Sequence, residues 1–150
     1  MQAFHLFTAD VRGDRRNTVY PHAVEINTLA QLQQAAQYDH VGAAFKDNRR
    51  QNEGFLWADC LIADVDNAAG DVVEPAQIAD DLPDVQHYVL YSRHHLLAKG
   101  TAPAVPRFHV IFPIERTESR EQLGGLKRAL CSRFPYYDSA CVDGARFFFG

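Results

Sequence analysis

Residues 55–66 read FLWADCLIADVD. The stretch is too apolar for an exposed sheet edge and suits a central strand buried on both faces. It closes on two carboxylates, Asp64 and Asp66. Side chains at i and i+2 of a strand face the same side, so these two point together and Val65 points away. Adjacent carboxylates repel, and one must take up a proton unless a cation lies between them. The spacing suits a hard divalent ion such as Mg²⁺ or Mn²⁺, which prefers oxygen ligands. The plainer reading is that DVDN, after a strand, is a solvated loop entry.

On either side of this strand the pattern alternates between strands and helices. AFHLFTA (3–9) reads as a first strand and RGDRRN (12–17) as a loop. TLAQLQQAAQY (28–38) is rich in helix formers, with apolar residues at 29, 32, 35 and 36. KDNRRQNEG (46–54) is a polar loop, and EPAQIADDL (74–82) is a short helix with proline near its start. VQHYVLYS (85–92) and RFHVIFPI (107–114) are expected to pair as a hairpin across the long loop 93–106. ESREQLGGLKRALCSRF (118–134) is an amphipathic helix weakened by Gly124 and Gly125. ARFFFG (145–150) begins a last strand. The expected class is α+β, with a mostly antiparallel, mixed central sheet flanked by helices. An aromatic ending suggests a domain from a longer protein.

The totals bound the function. The chain has 150 residues, the size of one domain, with 47% hydrophobic and 23% charged residues, as in a soluble globular protein. No apolar run reaches the roughly 18 residues of a membrane span, and the N-terminus lacks the form of a signal peptide, so a cytoplasmic setting is expected. Cys60, Cys131 and Cys141 are odd in number and lack CxxC spacing, which points to small buried groups rather than a disulfide framework or a zinc knuckle. A net charge of −4 disfavours tight nonspecific duplex binding. It leaves room for a catalytic domain that grips nucleic acid briefly, through basic clusters at Arg12, Arg15 and Arg16 and at Lys46, Arg49 and Arg50.

Two further stretches join the carboxylates. In RFHVIFP, His109 sits inside a strand with Arg107 on its own face, a donor pair the size of a phosphate. Alternatively, His109 is a satisfied structural histidine. In YYDSACVDGARFFF, Asp138 and Asp143 follow the last helix, and either could join the first pair or simply cap a turn.

The order DxD, then RFHVIF, then D…RFF resembles the three motifs of the archaeo-eukaryotic-type primases, the primase-polymerase superfamily. The first motif maps to Asp64 and Asp66. The second maps to His109, with Arg107 where serine is more usual. The third maps to Asp138, whose spacing to Arg146 is similar to the family's Asp eight residues before an arginine; Asp143 is the second choice. FKDNRRQNEGFLWADCLIADVDN resembles the basic loop and first-motif strand of plasmid, phage and CRISPR-associated primase-polymerases, and YVLYSRHH…PRFHVIFPI resembles their hairpin. The resemblance covers residues 41–149.

It implies a primase-polymerase-like catalytic core that makes or extends DNA or RNA primers from nucleoside triphosphates on a single-stranded or primed template. Asp64, Asp66 and Asp138 would hold two Mg²⁺ or Mn²⁺ ions. His109, helped by Arg107, would contact the triphosphate. Lys46, Arg49 and Arg50 are candidates for nucleotide or template phosphates, against a solvated loop. Ser92, Arg93, His94 and His95 would line the nucleotide pocket, although adjacent histidines on a strand face opposite ways. Tyr136 and Tyr137 could pack on a base or sugar, or in the core. The rivals are a metal-dependent nuclease, which lacks a D…ExK pattern here, a non-catalytic nucleotide-binding module, and a DxD glycosyltransferase, which usually needs a larger domain.

Overall fold

The computed structural model describes residues 1–68, 70–98, 100–143 and 145–150; of Cys141 only the main chain is described. The elements in order are β1 (Phe4–Thr8), β2 (His22–Ile26), α1 (Leu29–Ala35), β3 (His40–Val41), β4 (Ala44–Phe45), β5 (Phe55–Val65), α2 (Pro75–Asp81), β6 (Tyr88–Tyr91), β7 (Phe108–Thr117) and α3 (Arg120–Arg133). Short 3-10 turns lie at Lys46–Asn48, Asn52–Gly54 and Ser139–Val142. The class is α+β.

Every strand pair among the described residues is antiparallel. The expectation of a single mixed sheet gives way to two sheets, ordered β2-β1-β3 and β4-β5-β7-β6. β5 is buried on both faces, as its apolar run requires. Cys60 and Ile62 pack with Phe4, Leu6, Ile26 and Leu32 of β1, β2 and α1. Leu61, Ala63 and Val65 pack on the other side with Ile78 of α2, Leu123 of α3 and Phe112. Cys60 is buried and its thiol reaches the His5 carbonyl at 3.4 Å; Cys131 is half-buried, its thiol 4.0 Å from the Asp138 carbonyl.

Local chemistry accounts for the helix ends. Thr28 and Gln31 form a reciprocal capping box at α1, Pro75 opens α2, and Ser119 accepts from the Gln122 N–H at α3. α3 runs unbroken through Gly124 and Gly125, because its packing on β5 and β7 outweighs their low propensity. The hairpin pairs as expected, Tyr88–Tyr91 against Phe108–Ile111.

One strand was not anticipated, and one expected strand is absent. HAVEI (22–26) is a strand with a largely exposed face, so its pattern is weak. The last six residues form no strand: they make one bridge, between His40 and Phe148. Phe147 and Phe149 touch each other at 4.9 Å while Phe148 meets the rings of His40 and His109, as alternating faces allow, but the segment makes no ladder beyond that bridge. No described helix is long and apolar enough to cross a membrane.

Candidate functional site

The antiparallel register of β5 and β7 sets Asp64 opposite His109. Both belong to the face that looks toward Phe148, and the His109 ring meets Phe148 edge-on at 4.7 Å. The chain leaving α3 turns at Pro135 and returns to β5, where the Asp138 N–H donates to the Asp64 carbonyl at 2.9 Å. Tyr137, buried against Phe112 and Phe134, anchors that return. After Asp66, Asn67 takes the left-handed conformation (φ 49°). Its side chain bonds Val73 and the Pro106 carbonyl, which closes the turn.

Asp64, Asp66 and Asp138 therefore converge, each with a carboxylate oxygen within 4.8 Å of the others. Oxygens on opposite sides of one Mg²⁺ lie about 4.2 Å apart, given metal–oxygen distances of about 2.1 Å. Small side-chain rotations would suffice, and the all-oxygen donor set fits a hard divalent ion. Arg146 reaches the same oxygens, its Nη2 standing 3.7 Å from Asp64 Oδ2 and 3.9 Å from Asp138 Oδ2.

His109 Nε2 lies 3.6 Å from Asp64 Oδ1, beyond hydrogen-bond length. Burial, then the nearby His40 and Arg146, push its pKa down to about 3. The contact is thus between a neutral imidazole and a carboxylate, not a charged pair.

A cavity of about 390 Å³ opens beside Asp64, Asp66 and His109. Arg15, Arg93 and Arg146 supply positive charge, Ser92 and His94 line one side, and Phe147–Phe149 form a wall. The Arg93 guanidinium stacks on Phe149 at 3.9 Å. A second cleft, of about 380 Å³, is lined by Asp66 and Asp138 together with Asp71, Tyr136, Tyr137 and Ser139. A larger cavity, about 470 Å³ between α1 and β2, contains none of the three carboxylates.

Several sequence candidates are placed elsewhere. Arg107 is buried, and its guanidinium donates to the carbonyls of His94, Leu97 and Pro103 at 3.2, 2.7 and 3.0 Å. It staples the hairpin loop and is not among the described residues lining the cavity. The expected Arg107–His109 phosphate pair is corrected accordingly: β7 begins at Phe108, so Arg107 is not bound to the strand's alternation. Asp143 accepts from the Ala145 N–H and lines a different cleft, with Arg120 and Arg128. Lys46 is exposed and Arg49 reaches Thr18 Oγ1. Arg50 donates to the Ala145 carbonyl and stacks on Phe147 at 4.6 Å, so it buttresses the aromatic wall from behind. The loop bends after Ser92: His94 lines the cavity, while His95 stacks on Tyr91 and accepts the Arg107 N–H. Tyr136 donates to Asp81 at 2.9 Å.

Arg15, Arg146 and the three phenylalanines were not singled out from sequence as site residues. The signal for Arg146 was its eight-residue spacing from Asp138. Arg15 was visible only as one member of a basic cluster.

Comparison of the chain with protein-family models, curated proteins and solved structures returns no match. The functional reading therefore rests on geometry and chemistry.

Proposed function

We propose that this domain catalyses template-directed nucleotidyl transfer, joining nucleoside triphosphates to a DNA or RNA primer, in line with its resemblance to primase-polymerases. The observation that carries the reading is the convergence of Asp64, Asp66 and Asp138, the first two lining a cavity whose walls also hold Arg15, Arg93 and Arg146. This cavity and the second cleft differ in kind. The cationic, aromatic side suits a triphosphate. The side with Tyr136, Tyr137 and Ser139 suits the strand that presents a hydroxyl.

Divalent ions bound by the triad would lower the pKa of the attacking hydroxyl and offset the charge of the triphosphate. The hydroxyl oxygen bonds to the α-phosphorus as the bond to pyrophosphate breaks. Arg15 and Arg93 would hold the triphosphate oxygens. His109, kept neutral by burial, offers a ring nitrogen beside Asp64 without adding repulsive charge near cations.

The test incubates the protein with Mn²⁺ or Mg²⁺, labelled nucleotides and a single-stranded or primed template, beside an Asp64→Ala, Asp66→Ala double variant. Extension by the parent and not by the variant is the expected result. Degradation of the template would point to a nuclease. Nucleotide binding with no product would point to a regulatory module.

A further inference from the structure

Asp39 is fully buried, one residue before the short strand β3. Its Oδ1 accepts the N–H of Gly13 at 2.7 Å and of Gly150 at 3.0 Å, and its Oδ2 accepts the N–H of Asp14 at 2.9 Å. None of the ion pairs among the described residues involves it. A buried carboxylate is costly without donors, and among the described residues these three main-chain N–H groups offset that cost. They come from two segments far apart in sequence. One is the loop that carries Arg15; the other carries Arg146 and Phe147–Phe149. Both segments supply parts of the wall of the cavity that Asp64 and Asp66 line.

The surrounding backbone is shaped for the same contact. Gly13 has φ +72°, a conformation that side chains disfavour. A Cβ on Gly150 would collide with the main chain of Gln37 and Tyr38. The main chain of Asp39 is tied in as well, its N–H to the Val11 carbonyl and its carbonyl to the Ala9 N–H, and His40 exchanges both main-chain bonds with Phe148. The bonds of Asp39 and His40 thus run to the two segments that frame the cavity.

We propose that Asp39 is a positioning residue, a buried latch that holds the Arg15 loop and the Arg146–Phe149 segment at the spacing needed to receive the triphosphate. The substrate named here rests on the nucleotidyl reading above. The latch does not touch the metal-binding carboxylates, so its loss affects how nucleotide is gripped more than the chemistry that follows.

The test is Asp39→Asn. The carboxamide keeps the volume but replaces one acceptor with an NH₂ group that faces an N–H donor. Hydrogen exchange should quicken in residues 11–17 and 145–150. The KM for nucleoside triphosphate, or its Kd with Mn²⁺, should rise about tenfold, with kcat and the Mn²⁺ affinity of the triad within about twofold of the parent. Gly150→Ala, which keeps the carboxylate but displaces one donor, should shift KM in the same direction and serves if Asp39→Asn does not fold. Unchanged exchange in both segments overturns the latch. So does raised exchange with unchanged KM, or an equal loss of kcat and Mn²⁺ affinity, which marks a merely structural role. Failure of the parent to bind nucleotide overturns the nucleotidyl reading and the substrate assigned here, while the exchange result still decides the latch.

Discussion

Arg146 and a divalent ion compete for the same carboxylate oxygens, and that competition has a sign. Arg146 stands 3.7 and 3.9 Å from Asp64 and Asp138, too far for hydrogen bonds, and its side chain is 36% exposed. Solvent screening at that exposure limits each pair to about 0.5–1 kcal/mol. Together the two are worth about 1–2 kcal/mol, which an incoming cation must overcome. Arg146→Gln removes that term, so Mn²⁺ should bind the nucleotide-free protein about 5–30-fold more tightly. The nucleotide should respond in the opposite sense. Once a cation holds the carboxylates, the displaced guanidinium is placed to donate to the triphosphate. Losing charge-assisted bonds of about 1.5–3 kcal/mol should weaken nucleotide binding tenfold or more. Titration of the free Mn²⁺ signal by electron paramagnetic resonance measures the first effect, and fluorescence of a labelled nucleotide measures the second. Added salt should narrow the Mn²⁺ difference, since exposed charges are screened. Unchanged or weaker Mn²⁺ binding by Arg146→Gln would refute the competition.

Two other predictions concern stability. Burial lowers the pKa of His40, and that of His109 to about 3, so in both the folded value lies below the unfolded one near 6.5. Above pH 6.5 both states hold these rings neutral and the stability is fully present. As the pH falls from 6.5 toward 3, only the unfolded chain protonates His109, and His40 acts in the same direction below 6.5. Each ring should then cost up to about 1.4 kcal/mol per pH unit. Denaturant midpoints at pH 7.5 and 5.5 should separate, and His109→Asn should reduce the separation; an unchanged separation in that variant would contradict the assignment. Arg107→Met should destabilise the fold by roughly 2–4 kcal/mol, because three carbonyls of the 94–103 loop lose a charged donor. Mn²⁺ affinity should stay within about twofold if the staple acts only on the loop; equal stability of parent and variant would show that the loop does not depend on it.

The carboxylate pair and its strand were legible because their signals are local. An apolar run of strand length fixes what β5 buries, and the i, i+2 spacing anticipates that Asp64 and Asp66 converge, although β5 ends at Val65 and the turn at Asn67 completes the placement of Asp66. The start of α2 at Pro75 was legible for the same reason. β2 was not legible, since its exposed face leaves no alternation to read. The last segment was misread as a strand because its apolar run fits one, whereas the main chain finds a single bridge, His40 to Phe148, and local composition does not encode where a ladder partner lies. Arg107 had the residue type and spacing of a phosphate ligand, yet buried carbonyls within its own loop claim its donors.

The sequence by itself settles the strand, the spacing of its two acidic side chains and the general α+β layering, because these depend on periodicity and caps within a few residues. Tertiary structure alone decides that Asp138 rather than Asp143 joins them, that Arg15 and Arg146 face the same cavity, and that Asp39 ties those walls together. Each of these depends on main-chain bonds between segments remote in the chain, such as Asp138 to Asp64 and Gly150 to Asp39. No local pattern encodes such a bond, because whether two distant donors and acceptors meet is set by how the whole core packs.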